Sequence, residues 1–172
     1  MAITMYSAGV PTFQHTLRNL IHILEKAEAF AQARKFDPAV LTTYRLAPDM
    51  LPFTRQIQIA CDGPKNGVAR ICGLEAPKFD DGETTFPELK ARIQKTLDFL
   101  ATITPEAMNG TEDKDITFPV GRDTTRTMKA EAYLKHWVLP NFFFHVVTAY
   151  DILRHNGVDL GKTDYLAGPQ KG

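Results

Sequence analysis

The stretch from Trp137 to Tyr150 most constrains the fold, because it contains no charged residue and yet is too short to span a bilayer. Its apolar residues do not form one stripe but surround the whole circumference of a helix. Such a helix lies at the centre of a fold or is shared with a partner subunit. We therefore expect a central helix from about Lys129 to about His155, stopped by Gly157, that also forms a homodimer interface.

Helical periodicity predicts three further long helices. The first covers residues 10–34 and the second residues 52–72. The third opens at Thr85, which forms a capping-box pattern with Glu88. In this helix we expect an inner stripe of apolar residues, and three cationic side chains that face water, Lys90, Arg92 and Lys95.

Between the third and fourth helices, apolar and polar residues alternate from Asp115, and a Gly121-Arg-Asp123 turn follows. This pattern predicts a small β-hairpin within residues 115–127. The expected fold is all-α, an antiparallel four-helix bundle with this hairpin before the last helix. A chain of 172 residues suits one domain, 1–172, with an ordered core of about 5–166.

Composition excludes several classes of function. Twenty basic residues balance twenty acidic ones, so no net field attracts nucleic acid or an anionic membrane. Cys61 and Cys72 are eleven residues apart in one predicted helix, which separates them by roughly 16 Å and excludes a disulfide between them. With no signal peptide predicted at the N-terminus, we expect a reduced, cytoplasmic protein.

Asn141 and His145 lie one turn apart on the predicted fourth helix, the spacing at which one helix presents two metal ligands. A neutral imidazole binds zinc, nickel or iron well, whereas a neutral amide oxygen is a poor ligand. One interpretation is a metal site that Asp62 completes from across the bundle. The other is a buried pair whose polar atoms are satisfied by hydrogen bonds.

The remaining candidates also allow two interpretations each. Asp62 precedes Gly63-Pro64, where we expect a kink, and it could face the bundle interior or cap the segment that restarts at Pro64. Cys61 could supply a thiolate or fill a small space in the core. Arg55 and His136 could bind a ligand or cofactor at a cavity mouth, or face solvent. A glycine-rich phosphate loop, a G-x-S-x-G elbow and an H-E-x-x-H motif are all missing from the sequence.

Two long segments resemble an uncharacterised bacterial family that is grouped with the DinB/YfiT-like metalloenzyme superfamily. They are RLAPDMLPFTRQIQIA, residues 45–60, and LPNFFFHVVTAYDILRHNG, residues 139–157. The resemblance implies a four-helix bundle, often dimeric, in which one histidine of the second helix and two of the fourth hold a divalent metal. By position these ligands fall at Asp62, Asn141 and His145, of which one is histidine here.

Two hypotheses of function follow. The first is an enzyme that depends on zinc or nickel, or a degenerate one that formerly did, whose hydrolase or thiol-transferase activity is implied by the superfamily alone. The second is a non-catalytic, dimeric protein that binds a small ligand or acts in stress, with no metal.

Overall fold

The computed structural model describes residues 3–169, which form eight α-helices and one two-stranded sheet. The four long helical segments are α1 (Met5–Arg34), α3 (Phe53–Cys72), α4 (Phe86–Ala101) and α7 (Leu139–His155). Short helices complete the fold: α2 (Ala39–Thr43), α5 (Pro105–Met108), α6 (Ala130–Tyr133) and α8 (Lys162–Ala167). The predicted helical architecture is therefore confirmed at the level of a mostly helical protein.

Capping residues fix where the long helices begin. Thr85 accepts a hydrogen bond from the Glu88 backbone N–H, and the Glu88 side chain bonds back to the Thr85 backbone, as the capping-box pattern predicted. Helix α1 starts five residues earlier than expected, at Met5, because Thr4 and Ser7 form a reciprocal cap of the same kind. Helix α3 runs without a break through Pro64, so Asp62 lies inside the helix and does not cap it.

The predicted hairpin is present. Strand β1 (Asp115–Pro119) pairs antiparallel with β2 (Thr125–Lys129), and Asp115 lies opposite Lys129. Ile116 and Phe118 point inward and are buried, whereas their neighbours are exposed. Through Phe118 the hairpin packs on Tyr133 and Trp137, with ring centroids 4.5 and 5.0 Å apart, and so holds these two aromatic side chains in place.

The last helical segment changes its winding at a π-helical turn, Leu134–Val138, between α6 and α7. The backbone N–H of Leu139 donates to the carbonyl of Leu134, five residues back. Pro140 has no N–H to continue the ordinary i to i−4 pattern, which gives a local reason for the wider turn. Such turns are frequent at functional sites.

One hydrophobic core joins the long helices. Helix α3 packs against both α7 and α4, and α1 packs against α4. Phe13 of α1 meets Phe142 of α7 edge-on, with centroids 5.0 Å apart, at the centre of this core. Within residues 3–169, no helix combines the length and apolar character needed to cross a membrane.

Candidate functional site

A cavity of about 180 Å³ lies where α3 meets the π turn and the start of α7. Helix α3 presents Asp62, Asn66 and Arg70 to it, at steps of four residues. The facing segment presents Tyr133, Trp137 and Asn141, again at steps of four. Residues spaced by four lie above one another on a helix, so two mixed stripes of side chains face each other across the cavity. Its remaining lining residues are Ile59, Gly63 and Val138.

Three polar side chains of this cavity lack the partners that half-buried groups usually have. Neither the Asn66 amide nor the Asn141 amide makes a side-chain hydrogen bond within residues 3–169. Arg70 donates from Nη1 to the Tyr133 hydroxyl over 3.0 Å, but it has no acidic partner in the same part of the chain. These three side chains are half-buried, so their open donors and acceptors remain accessible and can bond to a bound molecule.

Asp62, in contrast, is already held by two cations. Lys65 Nζ lies 2.9 Å from Oδ1, and Arg92 Nη2 donates to Oδ2 over 2.9 Å. Both cationic side chains are almost completely buried, whereas the Asp62 side chain is 30% exposed. The carboxylate therefore reaches the cavity with its negative charge compensated from behind.

The position of Arg92 corrects the sequence prediction, which placed this residue in water. Its side chain is 1% exposed, because the segment 79–83 folds over it. Nη1 donates to the carbonyl of Asp80 and to both carboxylate oxygens of Glu83, at 3.0 to 3.2 Å, and Asp81 lies 3.0 Å from Nη2. Burial alone would lower the pKa of Arg92, but the hydrogen bond with Glu83 and the charges of Asp62 and Glu83 outweigh it and raise that pKa.

His145 lies one turn further along α7 and does not line the cavity. It is buried, and its Nδ1 lies 2.7 Å from Oε1 of Gln56 on α3. An amide oxygen only accepts, so Nδ1 carries the proton and donates. Burial lowers the pKa of His145 to about 4, which keeps the imidazole neutral at pH 7.

The two residues predicted to bind a ligand or cofactor lie away from this cavity. Arg55 donates to Gln58 and to Asp81 at the edge of a separate surface cleft of about 230 Å³. His136 lies in the π turn with its side chain exposed. Neither side chain is among those that line the Asp62 cavity.

The donor chemistry of the predicted metal ligands does not fit a three-ligand divalent centre. Asp62 is neutralised by Lys65 and Arg92, whose charges would also repel a cation, and Asn141 offers a neutral amide. His145 is a good ligand type, but it bonds to Gln56 and does not share the cavity of the other two. Among the side chains of residues 3–169, no three His, Cys, Asp or Glu residues form a group that could hold a metal ion.

Cys61 does not offer a thiolate to this region. Burial raises the pKa of its thiol to about 12, so the group stays protonated at neutral pH. It lies in the core between α3 and α4, where it bonds to Thr96. This environment agrees with the interpretation of Cys61 as a small filler of the core.

Sequence reasoning did not assign Gln56, Asn66, Arg70 or Tyr133 to the site, and it placed Arg92 in water. Some of these positions carry a periodic signal. Gln56 lies three residues after Phe53 and four before Ala60, so it belongs to the inner stripe of α3. Arg92 is three residues after Leu89, on the inner stripe of α4. Arg92 was predicted to face water because it is charged, although its spacing from Leu89 places it on the inner stripe.

Comparison with known proteins supports the same fold. The model of the family described as domain of unknown function (DUF1993) matches residues 5–166. The crystal structure of a DinB family member protein from Shewanella denitrificans is 42% identical in sequence, with a TM-score of 0.86, over 97% of this chain and 94% of that one. No protein with a curated description matches the chain.

Proposed function

Because the chain belongs to the DUF1993 family and is DinB-like, we propose that it is a metal-independent relative of the DinB metalloproteins that binds a small molecule. In this proposal its long helices form the antiparallel four-helix bundle of that superfamily. The ligand occupies the cavity between α3 and the π turn. The observation that carries the proposal is the double ion pair of Asp62, at 2.9 Å from both Lys65 and Arg92.

This ion pair supplies the positive charge that a metal supplies elsewhere in the superfamily. A partly buried carboxylate is stabilised by a compensating cation, and here the side chains of Lys65 and Arg92 provide it. The open amides of Asn66 and Asn141 then remain available for a ligand, and Trp137 offers an aromatic wall. The arrangement supports binding: the nearby Cys61 stays a thiol, and the Nδ1 proton of His145 is donated to Gln56.

Metal analysis tests the first half of the proposal. Untagged protein from medium supplemented with zinc and nickel should contain clearly less than one metal ion per chain. The His145→Ala variant should contain the same amount, because His145 is not a ligand in this proposal. Stoichiometric metal that disappears in His145→Ala would overturn it and favour the metalloenzyme, whose one supporting observation is the neutral imidazole of His145.

Ligand binding tests the second half. The chain has one tryptophan, and Trp137 lines the cavity, so its fluorescence reports occupancy. A set of small anionic, neutral and cationic molecules is titrated in the presence of EDTA. We expect at least one class to change the fluorescence of the native protein but not of Asn141→Leu, which replaces the open amide by an apolar side chain. A set with no response at all contradicts a binding function.

We also propose a homodimer through α7. Phe144 and Val147 lie three residues apart on one face of this helix and are 56% and 41% exposed. The exposed side chain of Tyr44 lies near the end of this helix, with its ring 6.1 Å from that of His155. Large exposed apolar side chains gathered on one face are typical of an interface. Sedimentation should give a dimer that Phe144→Asp converts to a monomer, whereas a monomeric native protein would contradict the proposal.

A further inference from the structure

The charge balance of the cavity between α3 and the π turn points to the class of its ligand. The carboxylate of Asp62 is compensated twice, by Lys65 and by Arg92. Arg70, on the same helix face and two turns away, has no acidic partner within residues 3–169. The uncompensated charge that borders the cavity is therefore positive.

Arg70 is also positioned to bind. Its Nη1 donates to the hydroxyl of Tyr133 over 3.0 Å, and the Tyr133 ring is fixed by Phe118, at a centroid distance of 4.5 Å. A guanidinium held at one nitrogen keeps further N–H donors for a planar anion. Arginine is the side chain that matches a carboxylate with two parallel hydrogen bonds.

The walls of the cavity limit the rest of the ligand. Its volume of about 180 Å³ is small, since pockets for drug-sized molecules measure about 300–1,000 Å³. The amides of Asn66 and Asn141 can each donate and accept, which suits a hydroxyl, carbonyl or amide group. The half-buried side chain of Trp137 offers apolar surface to carbon atoms. A bare inorganic anion would leave this apolar surface without a partner.

Resting on the proposed binding function, we infer that the ligand is a small organic carboxylate with a polar substituent. Its carboxylate pairs with Arg70, its substituent bonds to Asn66 or Asn141, and its carbon atoms contact Trp137. The ligand enters and leaves as the anion, and no bond is formed or broken.

The test compares three probes by Trp137 fluorescence and by chemical shifts of the backbone amides. Lactate and lactamide have the same shape and differ in charge, and inorganic phosphate is an anion without carbon. We expect lactate to bind at least about tenfold more tightly than lactamide, since hydrogen bonds to charged groups are worth about that factor. Phosphate that binds more tightly than lactate would overturn the assignment to a carboxylate.

Variants of Arg70 and Tyr133 test whether the preference for lactate over lactamide comes from Arg70. Arg70→Gln should weaken lactate binding about tenfold and lactamide binding by a smaller factor, whereas Arg70→Lys should restore part of the lactate loss. Tyr133→Phe keeps the guanidinium charge and removes its fixed partner, so it should weaken lactate binding less than Arg70→Gln. If Arg70→Gln fails to fold, the comparison of lactate with lactamide in the native protein still decides.

The outcomes separate the two proposals. Equal binding of lactate and lactamide, both lost in Asn141→Leu, overturns the anionic class and leaves the binding function standing. No binding of any probe, together with no response in the wider set of small molecules, overturns both. Lactate binding that Arg70→Gln leaves intact assigns the anion to another residue and contradicts the inference.

Discussion

Replacement of the buried Arg92 by methionine should destabilise the protein far more than its position on a charged helix suggests. The side chain is 1% exposed and bonds to Asp62, Glu83 and the carbonyl of Asp80. Removing one partner of a buried ion pair costs about 3–5 kcal/mol, because the remaining charges stay desolvated and unpaired. Asp62 and Glu83 are 30% and 15% exposed, which places the expected loss near the lower end, at about 3 kcal/mol.

Urea unfolding at pH 7, followed by circular dichroism, measures this loss, and the melting temperature should fall by roughly 6–12 °C. Lys95→Met is the matched control: it removes a cation one turn along the same helix, but one that is exposed, and should change stability by less than about 0.5 kcal/mol. Arg55→Met removes an exposed partner of Asp81 and should cost less than about 1 kcal/mol, an effect that salt screens further.

An Arg92→Met variant whose free energy of unfolding lies within about 1 kcal/mol of that of Lys95→Met would refute this prediction. That result would mean that the carboxylates of the 79–83 segment relax into water when the guanidinium is removed. Arg92→Lys gives a further check, since it keeps the charge but cannot bond to Asp62 and Glu83 in the same planar geometry. The free energy of unfolding of Arg92→Lys should lie between that of Arg92→Met and that of the native protein.

Three further predictions concern His145, the contact of α3 with the π turn and a helix cap. Burial lowers the pKa of His145 to about 4. Between about pH 6.5 and pH 4 the unfolded chain therefore binds a proton at this residue that the folded chain does not. The free energy of unfolding should fall by about 2 kcal/mol from pH 7 to pH 4.5. His145→Gln should lack this part of the acid sensitivity in parallel urea titrations, and equal pH slopes would contradict the assignment. Gly67→Ala should cost about 1–3 kcal/mol, because a Cβ there would lie 2.6 Å from Cγ1 of Val138. Val138→Ala should relieve this overlap in the double variant, and simple additivity of the two losses in thermal unfolding would argue against the contact. Thr85→Ala should lower the free energy of unfolding by about 1 kcal/mol through loss of the α4 cap, and a change below about 0.3 kcal/mol would show that the cap is dispensable.

Much of the helical architecture could be predicted from the sequence because it depends on local rules. The spacing of apolar residues identified the long helices, the Thr85 pattern identified the start of α4, and alternation identified the hairpin. Two weaker local signals, at the start of α1 and before Pro140, were not recognised in the sequence. The cap formed by Thr4 and Ser7 was missed, and with it the first turn of α1. The π turn before Pro140 was missed as well, although the missing N–H of proline is visible in the sequence.

The candidate site was predicted less well, because periodicity tells which face a residue occupies but not which group it meets. The stripe of α7 correctly placed His145 inside, yet its partner is Gln56, 89 residues away in the sequence. Asp62 and Asn141 both line one cavity. The side chains that give this cavity its charge, however, are Arg70 and the cations behind Asp62.

The sequence by itself determined the helices and their inner faces, since both depend on the spacing of neighbouring residues. It also determined the absence of a net charge, which depends only on the numbers of acidic and basic residues. Tertiary structure alone decided that Arg92 is buried. The cause is the 79–83 segment, which has no periodicity to predict its path and which brings Glu83 and the carbonyl of Asp80 to the guanidinium. A long cation on an inner stripe can extend into water or be enclosed by carboxylates. The energetic difference between these states depends on groups that only the folded chain brings together.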